Sequence, residues 1–140
     1  MTRSVLVVDD KEMMRDSVGS TLTRAGFTVR TASDARSALS EIASRRPDCV
    51  VTDLNMPGMT GLELAAQING LDDELPVILM TAFGSIETAV QAMKNGAYDY
   101  ITKPFEGDEL VISVKRAITH AGLVRENAIL KAGAAGSATR

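Results

Sequence analysis

A chain of 140 residues can bury one real core but is too short for two substantial domains. With 45% hydrophobic residues, 24% charged residues and a net charge of -3, it reads as an ordinary globular protein, and its scattered Lys and Arg argue against direct nucleic-acid contact. No apolar run approaches the roughly 20 residues of a membrane span, Met1 leads into no basic and then apolar leader, and the lone Cys49 allows no internal disulfide; a cytoplasmic protein with a buried, reduced thiol is expected.

The first strand is predicted over Val5 to Val8, and Met14, Val18, Leu22 and Ala25 then share a helical face that Gly26 ends. A second strand over Thr28 to Ala32 leads through the capping candidates Ser33 and Asp34 to a helix marked by Ala35, Ala38, Leu39 and Ile42. Cys49 to Thr52 forms the third strand, and Leu62, Ala65 and Ile68 the third helix, ending near Gly70. The fourth pair is Val77 to Met80 with Ile86, Ala89, Val90 and Met93, stopped at Asn95-Gly96. Tyr98 to Ile101 is the fifth strand. The last helix starts near Gly107-Asp108 and keeps alternating spacings of four and three through Leu110, Val114, Ala117, Ala121, Val124 and Ala128.

Five strands alternating with helices predict an α/β fold with a parallel sheet, and the doubly wound, flavodoxin-like order 2-1-3-4-5 with helices on both faces is the expected arrangement. The last helix is too long for this globule alone. Residues 1–121 are therefore expected to form the domain and 122–140 a helical linker, with a small, polar, flexible tail from Gly133.

In such a sheet ligands sit beyond the carboxyl ends of the strands. Asp9 and Asp10 end the first strand, Asp53 the third and Thr81 the fourth, while Lys103 follows the fifth. Each has a plain alternative: Asp10 as a helix cap, Asp53 and Asn55 as part of the turn that Pro57-Gly58 continues, Thr81 as an ordinary strand end. Together they point to chemistry. Carboxylates that close raise one another's pKa unless a cation intervenes, and few protein ligands with several waters suit magnesium better than calcium. With a metal bound, Asp53 can act as nucleophile toward a phosphoryl group, whose oxygens would meet the cation, Lys103 and the Thr81 hydroxyl. His120 is expected on the surface, and the methionines are expected to pack in core and loops.

The segments Leu6-Val7-Val8-Asp9-Asp10, Asp53-Leu54-Asn55-Met56-Pro57-Gly58-Met59-Thr60-Gly61, Met80-Thr81-Ala82 and Tyr98-Asp99-Tyr100-Ile101-Thr102-Lys103-Pro104-Phe105 resemble the response-regulator receiver family of two-component systems over about residues 4–121. The resemblance implies that a histidine kinase phosphorylates Asp53. It implies that Asp10, Asp53 and the backbone carbonyl of Asn55 hold magnesium directly and Asp9 through water. Thr81 and Lys103 would hold phosphoryl oxygens, the Lys103-Pro104 peptide would be cis, Tyr100 would be the aromatic switch partner of Thr81, and Ala82 would leave the entrance open. The responding face would be helix four, strand five and helix five, and with the linker helix it is expected to form a homodimer. The stretch from Thr81 to Ser85 and the ending Arg125 to Lys131 look like receivers of the nitrogen-regulation type, which precede a sigma-54 activator output domain. Lys11 departs from the family pattern, where an acidic or small residue is usual; Asn55 and Gly84 occupy positions that tune hydrolysis.

Three other readings compete with this one. A free-standing receiver acting as an adaptor or phosphoryl relay would leave the long last helix without a partner. A magnesium-dependent phosphatase of the haloacid-dehalogenase type would carry a second Asp two residues after the nucleophile, where this chain has Asn55. A flavin module would want a phosphate cradle after the first strand, where Asp9-Asp10-Lys11-Glu12 would repel a phosphate.

Overall fold

The computed structural model describes residues 3–82 and 86–138, without the side chains of Ile86 and residues 124–138. These residues form the strands β1 (Ser4–Val8), β2 (Thr28–Ala32), β3 (Cys49–Asp53), β4 (Val77–Thr81) and β5 (Asp99–Thr102). The helices are α1 (Glu12–Arg24), α2 (Ala35–Ser44), α3 (Gly61–Leu71), α4 (Ile86–Lys94) and α5 (Gly107–Ala138). All strand pairs are parallel and the order is β2-β1-β3-β4-β5, as expected.

Strand periodicity distributes the core. Val5, Val7, Cys49, Val51, Ile78 and Met80 face α1 and α5, where they meet Val18, Leu22, Leu110 and Val114. Leu6, Val8, Val50 and Val77 point to the other face, onto Ala35, Ala38, Leu64 and Ile68 of α2 and α3. A smaller cluster of Leu54, Leu79, Ala92 and Ala97 seats α4, and Tyr100 packs against it. Because helices cover both faces, β3 and β4 are buried along their whole length, apolar until polar residues appear at their carboxyl ends.

Local chemistry sets most boundaries. Gly26 (φ 102°) and Gly96 (φ 92°) take the left-handed conformation that ends α1 and α4. Asp34 caps α2 by accepting from the Ser37 N–H at 2.7 Å, and that bond holds its carboxyl below the usual range. Thr60 caps α3 in a reciprocal box: its hydroxyl accepts from the Glu63 N–H at 3.2 Å, and the Glu63 carboxylate accepts from the Thr60 N–H at 3.1 Å. Removing this cap by Thr60→Ala should lower stability by about 1 kcal/mol, read as a shift of the urea midpoint at unchanged m-value.

Two expectations need adjusting. The helix α5 runs on to Ala138, so the segment from Gly133, expected as a flexible tail, is helical over its described part; Ala132, Ala134, Ala135 and Ala138 are the best helix formers available. Residues 139 and 140 lie outside the described residues, as do Phe83, Gly84 and Ser85 and the side chains of Val124 and Ala128. Met56 and Met80 are buried as expected, but Met13 and Met93 are exposed at 85% and 53% and do not pack in the core. His120 is exposed, and its ring lies 5.5 Å from that of Tyr98.

Candidate functional site

Parallel registers bring the strand ends to a common edge: Val8 lies beside Thr52, Asp53 beside Met80, and Thr81 beside Thr102. Asp53 and Thr81 are the last residues of β3 and β4, and Asp9 follows β1 directly. The apolar runs that build the sheet therefore end in polar side chains at one rim. Asp9, Asp53 and Thr81 are buried there, whereas Asp10 and Asn55 are exposed.

One carboxylate oxygen from each of Asp9, Asp10 and Asp53 lies within 4.8 Å of the others, the spacing of groups that could share a metal ion. Lys103 reaches in from beyond β5, its Nζ 3.0 Å from Asp53 Oδ1 and 3.7 Å from Asp9 Oδ2. The Lys103 N–H donates to the Thr81 carbonyl, which ties the residue to the end of β4, and the Lys103-Pro104 peptide is cis, as the resemblance implied. Ala82 is exposed at the entrance. About 590 Å³ of cleft opens beside Lys103, walled by Met14, Val18, Pro104 and Phe105.

The electrostatics favour a cation. Asp9 Oδ1 accepts from the Lys11 N–H at 2.9 Å, but Asp9 Oδ2 is buried with no hydrogen-bond partner. Burial pushes the Asp9 carboxyl above its ordinary value of 3.8, and the neighbouring carboxylates add to this, against the Lys11 N–H and Lys103. Lys103 supplies one positive charge against three carboxylates, and at 3.7 Å it does not hydrogen-bond the orphaned oxygen. The residues present thus fit a hard divalent ion bound through oxygen.

A consequence can be measured without metal. A carboxyl whose folded pKa is raised costs the folded state stability as pH climbs through that range. Asp9→Asn removes the cost. With chelator present, Asp9→Asn should melt higher than wild type at pH 7, and the gain should fade as the pH falls toward 3.8. A variant that melts lower at every pH would refute the reading of Asp9 as strained.

Asp9, Asp10, Asp53, Thr81 and Lys103 come together at this rim, Asn55 is exposed in the loop after β3, and Gly84 lies outside the described residues. Tyr100 sits in β5, half-buried against the α4 cluster, one strand over from Thr81. Two further residues take part: Arg15, which sequence reasoning missed, and Gly61, which ends the family-like segment that starts at Asp53. Arg15 donates from Nη1 to the Asp9 carbonyl at 2.8 Å, and Gly61 closes on the Asp53 carbonyl from the start of α3. Cys49 is fully buried, its thiol pushed up by burial, and plays no part.

The family described as the response regulator receiver domain matches residues 5–115. The C4-dicarboxylate transport transcriptional regulatory protein DctD of Rhizobium meliloti is 44% identical over 131 residues, covering 94% of this chain and 28% of that protein. The DNA-binding transcriptional regulator NtrC of Escherichia coli K12 is 44% identical over 116 residues, covering 83% of this chain and 25% of its own. The crystal structure of NtrX from Brucella abortus superposes with a TM-score of 0.87 at 42% identity over 94% of this chain and 30% of that one. The chain spans less than a third of the length of these relatives.

Proposed function

We propose, since this chain belongs to the response regulator receiver domain family, that it is a phosphorylation-dependent signalling switch whose acceptor is Asp53. The observation that carries the reading is the acid cluster of Asp9, Asp10 and Asp53 bridged by Lys103, with the buried Asp9 Oδ2 left without a hydrogen bond.

Asp10, Asp53 and the Asn55 carbonyl would hold magnesium directly, with Asp9 reaching it through water. When bound, the ion supplies the positive charge that the phosphoryl oxygens need and that one lysine cannot. Asp53 then attacks phosphorus with a carboxylate oxygen. The bond from phosphorus to the donor's leaving group breaks, and the leaving group departs with the electron pair. Lys103, already at the Asp53 carboxylate, follows the charge onto the phosphoryl group, and the buried Thr81 hydroxyl offers it a hydrogen bond. Tyr100 is the partner that answers a shift of Thr81, so the signal passes to α4, β5 and α5.

The donor proposed is a sensor histidine kinase, with the cleft beside Lys103 as its approach. Asn55 stands where an aspartyl phosphatase would keep its proton donor, so self-catalysed transfer and slow loss of the phosphoryl group are expected in place of turnover of outside substrates. Residues 1–121 are taken as the receiver and 122–140 as the linker to an output domain, for which the much longer relatives argue; a sigma-54-dependent transcriptional activator is the output proposed. Exposed Val90 and Met93 on α4 and Ile112 on α5 support a homodimer through that face and the linker helix. No helix among the described residues is long and apolar enough to cross a membrane, and the setting proposed is the cytoplasm. Intact mass after incubation with acetyl phosphate, with magnesium or with chelator, tests the central step.

A further inference from the structure

The loop between β1 and α1 carries both Asp9 and Asp10, and three hydrogen bonds fix Asp9 within it. The Asp9 N–H donates to the Ala32 carbonyl at 3.2 Å, tying the end of β1 to β2. The Lys11 N–H donates to Asp9 Oδ1 at 2.9 Å, which fixes the carboxylate and turns Oδ2 into the cluster. The third bond comes from α1, where Arg15 reaches back six residues and donates from Nη1 to the Asp9 carbonyl at 2.8 Å. That carbonyl belongs to the Asp9–Asp10 peptide, so its direction sets the course of the chain into Asp10.

The other anchors of this loop are weak. Lys11 at the N-cap of α1 makes no side-chain capping bond, so the helix start is held to the loop by no cap of its own. Asp10 is exposed and makes no hydrogen bond of its own among the described residues. Arg15 is half-buried, which makes its hydrogen bond worth more than one on an open surface, and a charged donor on a neutral carbonyl is among the stronger bonds of its kind.

We propose that Arg15 is a positioning residue for the cation site: by gripping the Asp9–Asp10 peptide it aims Asp10, and so sets the affinity for magnesium. The inference rests on the reading of Asp10 and Asp53 as cation ligands. It does not need phosphoryl transfer to occur. Groups that orient metal ligands from outside the ligand set typically matter by 10- to 100-fold in affinity.

The sign of the effect separates positioning from simple charge. Arg15 is a cation near a cation site, so if it acted only through its field, removing it would tighten magnesium binding. If it acts by aiming Asp10, removing it weakens binding. The experiment is calorimetric titration of the full chain with magnesium chloride for wild type, Arg15→Met and Arg15→Lys, beside their melting curves in chelator. Arg15→Met should bind magnesium about tenfold more weakly, and Arg15→Lys, which keeps a charged donor, should recover part of the loss. The rate of phosphorylation by acetyl phosphate should need correspondingly more magnesium and return to the wild-type value at saturation. Unchanged or tighter binding in Arg15→Met, in protein that melts cooperatively, would overturn the proposal. Wild type that binds magnesium but takes up no phosphoryl group would instead sink the acceptor reading and leave the role of Arg15 open to the same titration.

Discussion

Incubated with acetyl phosphate and magnesium, the chain should gain the mass of one phosphoryl group, and Asp53→Asn should gain none. The expectation follows from where the charges sit. Of the three clustered carboxylates, only Asp53 has Lys103 at hydrogen-bonding distance, 3.0 Å, ready to follow developing negative charge. Asp9 keeps one oxygen on the Lys11 N–H and is fully buried, and Asp10 is exposed with neither Lys103 nor a backbone donor on it. An amide at position 53 keeps the shape of the carboxylate but loses the nucleophilic oxygen, so the loss should be complete. Chelator should abolish the gain in wild type, since Lys103 alone cannot balance three carboxylates and an incoming phosphoryl group. Uptake by Asp53→Asn would move the acceptor to Asp9 or Asp10 and sink the assignment. No uptake by folded wild type that binds magnesium would make this a switch that works without phosphorylation, and its output would have to be sought at the exposed α4 and α5 face.

The rim was readable in sequence because the physics that makes a buried parallel strand also makes its end conspicuous. Val5 to Val8 and Cys49 to Thr52 are apolar or β-branched runs, and Asp9 and Asp53 break them at the point where the strand leaves the core. Topology then brings the breaks together, and the cis Lys103-Pro104 peptide was named from the family resemblance. Other features needed coordinates. Arg15 lies six residues from Asp9, a spacing that no helical or strand period flags, and its bond runs to a backbone atom. The capping box at Thr60 and Glu63 is visible as Thr-x-x-Glu before an apolar run, so there the signal was present and the third helix was read from its apolar face alone. Met13 carries an apolar side chain on a helix whose other residues dictate the buried face, and hydrophobicity by itself does not say which way a helical residue points.

Gly61 illustrates a constraint that only the fold reveals, and it carries the second large effect. Its backbone does not lie in the left-handed region, so conformation does not require glycine there. Space does. A Cβ would stand 2.3 Å from the Asp53 carbonyl oxygen and 2.9 Å from the Leu54 Cα, and the Gly61 N–H is bound to the Leu54 carbonyl at 2.8 Å. All of these neighbours are backbone, so no rotamer change can relieve the clash; the start of α3 or the end of β3 must move. Overpacking typically costs about 1–3 kcal/mol, and a contact this close places Gly61→Ala at or above the top of that range. Gly70 is the control. It lies in the same helix, and a methyl group added there would meet nothing within 4 Å, so Gly70→Ala should be stabilising by roughly 0.5–1 kcal/mol through helix propensity. Urea midpoints should therefore shift in opposite directions for the two substitutions. Because the strain in Gly61→Ala falls on the peptide of Asp53, the variant that remains folded in low urea should also take up the phosphoryl group more slowly than its folded fraction explains. Equal uptake per folded molecule would mean that α3 yields and β3 does not, and that Asp53 is held by the sheet alone.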